Sequence, residues 1–302
     1  YRLASYAQDL LEDWLRLTTL YAQLRGKGFK GAVGTAAAYA DLIGLEALEG
    51  FESRLSQLLD LPFYPVTTQT YPRKQDYEVI SALAGLGGSV YKLAFDLRLL
   101  QSPPIGELSE PFAKKQVGSS AMPFKRNPIN AEKIDSLSRM LAAYPQVAWQ
   151  NASASLLERT LDDSANRRTI LPESFLICDE MLAVMNKLVG KMIINHDAIK
   201  RNLEIYAPFA CTERVMMALS KKGADRQETH ERLRAHAMTA WQAVQAGQKN
   251  PLTGLLQKDE YFLRWLKPAE IEALTGVDAY TGIAASASKA LAARIRRELP
   301  SR

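Results

Sequence analysis

The chain has 302 residues, 47% of them apolar and 24% charged, which is too long for one small core and too apolar for disorder. It carries a net charge of +5 with no Lys/Arg tail and no basic cluster interleaved with aromatics, which argues against nucleic acid and for a small anionic partner. Two cysteines outside any CxxC pair exclude a disulfide scaffold and fit a reducing, cytoplasmic setting, and no apolar run is long enough to span a bilayer.

The first element reads as a helix. Leu3, Ala7, Leu10, Trp14, Leu17, Tyr21 and Leu24 recur at steps of three and four, with charged residues between them. Nothing caps this helix before Tyr1, and no basic stretch precedes an apolar block as in a signal peptide, so the chain is expected to lack an N-terminal part. After the glycine-containing turn Gly31–Thr35, one helix is expected to run to Leu61 through Leu45, Leu48, Phe51, Leu55 and Leu58, ending at Pro62 and Pro65. A long third helix is expected from Lys74 to Gln101. Its Ala82, Ala84, Gly85, Gly87 and Gly88 would weaken it in isolation, which points to close packing against neighbouring helices.

Between Ser102 and Pro128 the helical pattern vanishes and five prolines appear. So long an irregular stretch inside a helical protein is often functional. Helices are expected again over 129–153, 165–191 and 196–204, the last capped by Asn195. Shorter ones follow over 212–222, 226–246, 252–257, 260–266, 268–274 and 282–299. Asp225 with Glu228 resembles a capping box, and Gly247 is a natural stop. No strand pattern appears. The fold class is therefore all-α, with a long-helix domain over 1–191 that carries the loop 102–128 and a smaller helical domain over 192–302.

Within the loop, Gly118-Ser-Ser-Ala-Met-Pro-Phe-Lys-Arg-Asn-Pro128 places hydroxyls at Ser119 and Ser120 near a cation at Lys125 and an amide at Asn127. Such a set can hold an anion against a hydroxyl. It is equally the composition of a solvated surface loop, and chemistry alone leaves both readings open.

The segment resembles the signature loop of the fumarase/aspartase superfamily, G-S-x-x-M-x-x-K-x-N, which Gly118, Ser119, Met122, Lys125 and Asn127 match. The fuller pattern S-S-A-M-P-x-K-R-N-P is similar to that of its adenylosuccinate lyase branch. Phe124 stands where His or Tyr is more familiar. Thr67-Thr-Gln-Thr70 resembles the family's substrate-touching T-Q-T segment, and Gly31–Thr35 its second glycine-containing active-site segment. Arg159, Ser164 and Arg168 resemble the stretch that holds the nucleotide phosphate, and the chain's end resembles the branch's C-terminal domain. The likeness runs through nearly the whole chain.

This resemblance implies a long-helix bundle of the fumarase/aspartase type and a lyase that releases fumarate by β-elimination. The substrates would be adenylosuccinate, giving AMP, and SAICAR, giving AICAR. Ser119 would be the base, with Lys125 and Asn127 stabilising the carbanion's charge. Glu132, seven residues after Lys125, occupies the place of a carboxylate that orients a catalytic histidine; an ordinary first-turn glutamate fits it equally well. Gln69, Ser120, Met122, Arg159, Ser164 and Arg168 would bind substrate. The family uses a histidine as general acid, yet His196, His230 and His236 match no family histidine, and the latter two read as solvated. The chain alone is accordingly expected to be inactive or crippled. No metal and no cofactor are implied, and a homotetramer with active sites shared between subunits is. The alternatives are another superfamily member, such as 3-carboxy-cis,cis-muconate cycloisomerase or argininosuccinate lyase, and a non-catalytic structural homologue.

Overall fold

The structure is a computed structural model that describes residues 1–112, 122, 125–277 and 280–299. The fold is all-α. Its helices are α1 (Arg2–Gln23), α2 (Ala37–Ile43), α3 (Leu45–Leu59), α4 (Lys74–Leu100), α5 (Ile129–Ser153), α6 (Asp162–Lys191), α7 (His196–Ala210), α8 (Thr212–Lys221), α9 (Arg226–Gln245), α10 (Leu252–Leu256), α11 (Glu260–Leu263), α12 (Pro268–Thr275) and α13 (Ala284–Glu298). Among the described residues the only strands are β1 (Leu108–Ser109) and β2 (Ile193–Ile194), which pair antiparallel. That ladder is too short to leave a period-two pattern in the sequence. The chain divides into two compact units, one of residues 2–99 and 110–192, the other of residue 1, 100–109 and 193–302.

The first unit is a bundle of α1, α4, α5 and α6. The α5–α6 register is read from side-chain rungs. Asn151 and Asn166 exchange amide hydrogen bonds of 2.7 and 3.1 Å, Tyr144 donates to Glu173, and Lys133 pairs with Glu180. Partner numbers fall on one helix as they rise on the other, so the two run antiparallel. Likewise α4 runs against α5: Arg98 bonds the buried Asp135 at 2.6 Å, and Ser138 donates to the Gly87 carbonyl at 3.3 Å. A Cβ on Gly87 would stand 2.7 Å from Leu141 Cδ2, so this glycine is where α4 closes on α5. Gly88 faces open space, and close packing therefore explains only part of the glycine cluster.

Two expectations need correction. The element following the glycine turn is two helices, because Gly44 adopts φ 87° and ends α2 before Leu45 starts α3. The apolar stripe read on α1 is only partly buried: Tyr6 and Leu11 are in the core, whereas Leu3, Trp14 and Tyr21 stay exposed. Their burial would require something outside this chain.

The second unit is built on Val215, Leu219, Leu233, Ala240, Leu252, Leu256, Phe262 and Ile271, all buried. The Asn195 side chain accepts from the Ala198 amide at 3.1 Å and caps α7, and Asp225 accepts from Glu228 at 2.8 Å and caps α9. Arg214 Nη1 donates to the carbonyls of Ala273, Leu274 and Gly276, satisfying the end of α12. Cys178 and Cys211 are buried thiols.

His236 is not solvated. Its Nε2 lies 2.7 Å from Asp259 Oδ2, and Asp259 also caps α11 by accepting from the Tyr261 amide at 2.8 Å. Burial would raise the Asp259 carboxyl, but the bonds from His236 and the Tyr261 amide outweigh it and hold the group below its ordinary value. A depressed folded-state pKa contributes stability that is present above the ordinary carboxylate value and lost as pH falls through the depressed one. Asp259→Asn is therefore expected to flatten the loss of melting temperature between about pH 5 and pH 3; an acid limb as steep as that of the parent would discard this account.

Candidate active site

Three segments of the first unit converge. Gly34, at φ +84°, lies against Thr67 so closely that a Cβ there would stand 1.9 Å from the Thr67 carbonyl oxygen. The turn Thr67–Thr70 is closed by the Thr68 amide on the Thr70 carbonyl at 3.2 Å, and the Gln69 amide donates to the Glu158 carbonyl at 3.3 Å. The glycine turn, the T-Q-T segment and the α5–α6 connection thus form one place. Gln69 itself is exposed, and Thr67 is buried with a hydroxyl that finds no partner among the described residues. Gly34→Ala is expected to cost about 1–3 kcal/mol from the left-handed backbone alone, with the clash at Thr67 in addition. Thermal melting would read it, and an unchanged melting temperature would mean the close approach is dispensable.

Below this surface lies a cluster of ions that sequence reasoning missed. Arg73 Nε donates to Asp163 Oδ2 at 2.7 Å, and Arg159 Nη1 sits 3.3 Å from Asp163 Oδ1. Arg167 bonds Asp76 and the Tyr71 hydroxyl, while Tyr71 donates to Asp76 at 2.7 Å. The guanidiniums of Arg73 and Arg167 lie 5.2 and 5.6 Å from the Tyr71 ring centre. Burial, together with the bond to Asp76, pushes the Tyr71 phenol up to about 12, so it stays a neutral donor. Ser164 is half-buried and Arg168 exposed, one turn apart on the same face of α6. Of the residues expected to bind phosphate, Arg159 is tied into the cluster, whereas Ser164 and Arg168 adjoin it through α6. The chain signal for the missed pairs was the density of charge in Arg73–Asp76 and Asp162–Arg168.

The other expected residues sit elsewhere. Ser119 and Ser120 lie outside the described residues. Met122 and Lys125 are exposed, with the Lys125 amide bonded to the Met122 carbonyl at 3.0 Å. Asn127 accepts from the Ile129 amide at 2.9 Å, and Glu132 is exposed in the first turn of α5. Pro128 offers α5 no side-chain cap. Buried Glu110 does so instead, accepting from the Asn130 amide, the Asn130 side chain and the Ala131 amide at 3.2, 2.6 and 2.6 Å. This fixes the point from which the signature loop departs.

Lys125, Asn127 and Glu132 therefore stand at the N-terminal end of α5, and Gln69 and Arg159 at its C-terminal end. Over the 25 residues of that helix, a rise of 1.5 Å each separates the two groups by roughly 37 Å.

A family profile described as adenylosuccinate lyase C-terminus matches residues 208–290, and one described as lyase matches residues 1–141. The adenylosuccinate lyase of Schistosoma mansoni is 40% identical over 272 residues, which cover 86% of this chain and 55% of that protein. The chain belongs to the adenylosuccinate lyase family. The enzyme of that name from Saccharomyces cerevisiae is 37% identical over 86% of this chain and 55% of its own length, and that of Archaeoglobus fulgidus 36% over 94% and 62%. The chain thus spans between about half and three-fifths of the length of these curated family members. The 3-carboxy-cis,cis-muconate lactonizing enzyme of Pseudomonas putida superposes with a TM-score of 0.83 at 23% identity, over 98% of this chain and 63% of that one. A fumarate lyase of Mesorhizobium superposes with 0.81 at 21%, over 96% and 62%. Family and neighbours share the all-α bundle. No helix among the described residues is long and apolar enough to cross a membrane.

Proposed function

We propose that the assembled protein is an adenylosuccinate lyase acting in purine nucleotide synthesis. It releases fumarate from adenylosuccinate to leave AMP, and from SAICAR to leave AICAR. The observation that carries this reading is the placement of Arg159, with Ser164 and Arg168 following on α6, next to Glu158, whose carbonyl holds the Gln69 amide, in a chain of this family. A guanidinium gives a phosphate paired hydrogen bonds that a lysine cannot.

In this reading Ser119 takes the proton from the carbon next to a substrate carboxylate. The electron pair spreads into that carboxylate, where Lys125 and Asn127 offset the growing charge. It then forms the carbon–carbon double bond as the carbon–nitrogen bond breaks, and the departing nitrogen takes a proton from a general acid other than the three histidines of this chain. A serine hydroxyl is a weak base at neutral pH, so Lys125 and loop amides must stabilise its alkoxide. Ser120 and Met122 line the substrate, and Glu132 orients the general acid.

A complete site takes its parts from different copies. A separation of roughly 37 Å along α5 exceeds what one small substrate can bridge, so the Lys125 end of one chain must meet the Arg159 end of another. The surface supports such assembly. Phe175, Leu182 and Val189 recur every seven residues on α6 and are exposed, as are Phe95 and Leu99 on α4. We read the assembly as a homotetramer of a cytoplasmic enzyme acting on a small anionic substrate. The direct test is fumarate release from adenylosuccinate. No fumarate from an assembled tetramer would remove the substrate assignment and favour another lyase of the superfamily.

A further inference from the structure

Arg159 is three-quarters buried, its side chain 23% exposed, and its guanidinium makes no hydrogen bond among the described residues. An arginine held this way keeps its donors for a ligand. What holds it is Asp163, whose side chain is only 2% exposed. Oδ2 of Asp163 is taken by Arg73 Nε at 2.7 Å, and the bond fixes the plane of the carboxylate. Oδ1 is sealed from solvent, accepts no hydrogen bond among the described residues, and faces Arg159 at 3.3 Å. A charge so buried is costly unless it is answered. Here the second oxygen is answered by the Arg159 cation, which is thereby drawn to one position.

The charge balance agrees. In the buried cluster three guanidiniums, Arg73, Arg159 and Arg167, stand against two carboxylates, Asp76 and Asp163, leaving one net positive charge. Exposed Arg168, Glu158 and Asp162 at the rim face water, which screens all three. A phosphate monoester carries about −1.5 to −2 at pH 7, so the buried cluster's charge has the sign that favours such a group.

We propose that Asp163, locked by Arg73, is a positioning residue that presets Arg159 for the phosphate of the substrate. The inference rests on the phosphate reading of Arg159 given above. It has an outcome that simple electrostatics would not produce. Asp163→Asn removes a negative charge beside an anion site, which by charge alone should tighten anion binding. Loss of positioning should weaken it.

The test is calorimetric titration of the 302-residue chain with inorganic phosphate, alongside thermal melting. Asp163→Asn is isosteric and keeps an acceptor for Arg73. It is expected to bind phosphate about tenfold more weakly, with a melting temperature lowered by the loss of a buried ion-pair partner but the cooperative fold retained. Arg73→Lys keeps the cation but loses the Nε donor, and is expected to weaken phosphate in the same direction, which keeps the test alive if Asp163→Asn does not fold. In the active assembly the same variants should raise KM for the nucleotide substrate and leave kcat within about twofold, because uniform binding is what they remove. Phosphate bound as tightly or more tightly by the folded variants, or no phosphate binding by the parent, overturns the proposal. Selective loss of phosphate by the variants, beside a parent that binds phosphate but releases no fumarate when assembled, would keep the positioning role and sink the lyase reading instead.

Discussion

Replacing Ser119 by alanine in the assembled enzyme is expected to lower fumarate release from adenylosuccinate by about 10²–10⁴-fold, the range that loss of a positioned general base produces. The effect should fall on kcat, because the proton is removed only as the transition state forms. Melting temperature and oligomer size should stay unchanged, since the substitution removes one hydroxyl from a loop. Lys125→Ala should also depress kcat, by withdrawing the charge that opposes the developing dianion. The two variants differ in pH behaviour. Lys125→Ala keeps the Ser119 hydroxyl, so raising the pH favours its alkoxide and restores part of kcat, whereas in Ser119→Ala no base remains for pH to uncover. Activity of Ser119→Ala within tenfold of the parent would place the base elsewhere and leave the signature loop a binding element.

Much of the bundle was legible because its signals are local. Helix α5 begins at Ile129 and ends at Ser153, where the reading of the chain put it, since the proline at 128 and the loss of periodicity after 153 are written in sequence. Asn195 and Asp225 cap their helices as their residue types suggest. The break at Gly44 was missed because the apolar stripe, Leu45 to Leu58, begins only beyond it, so no interrupted periodicity marked α2 as a separate helix. What escaped altogether is pairing at a distance. Arg73 and Asp163 are 90 positions apart, as are Tyr6 and Asp96, and nothing in the spacing of either member names the other. Arg167 and Asp76 illustrate the same point: each reads as an ordinary helix-surface charge until α4 and α6 are laid side by side. His236 failed for that reason as well, since its partner lies 23 residues on, in the turn before α11. Resemblance named Arg159 as a phosphate ligand, but only the fold displays the carboxylate that Arg159 faces.

Two inactive variants are expected to restore each other. If the base stands at the N-terminal end of α5 in one copy and the phosphate arginine at the C-terminal end in another, Ser119→Ala and Arg159→Ala damage different halves of the same site. In a homo-oligomer of either variant every site is broken. In mixed oligomers, some sites take the signature loop from an Arg159→Ala chain and the phosphate arginine from a Ser119→Ala chain, and those sites are intact. With random exchange of equal amounts, each half is sound in one chain of two, so about a quarter of the sites should be whole, given that symmetric assembly makes all of them equivalent. The measurement is fumarate release after the two proteins are unfolded together and refolded, compared with each refolded alone. Recovery toward a quarter of parental activity would follow from the roughly 37 Å that one helix sets between the two groups. Mixed oligomers of parental size that stay as inactive as their components would mean that both groups serve one site from one chain, and the signature loop would then have to return along the full length of α5 to reach it.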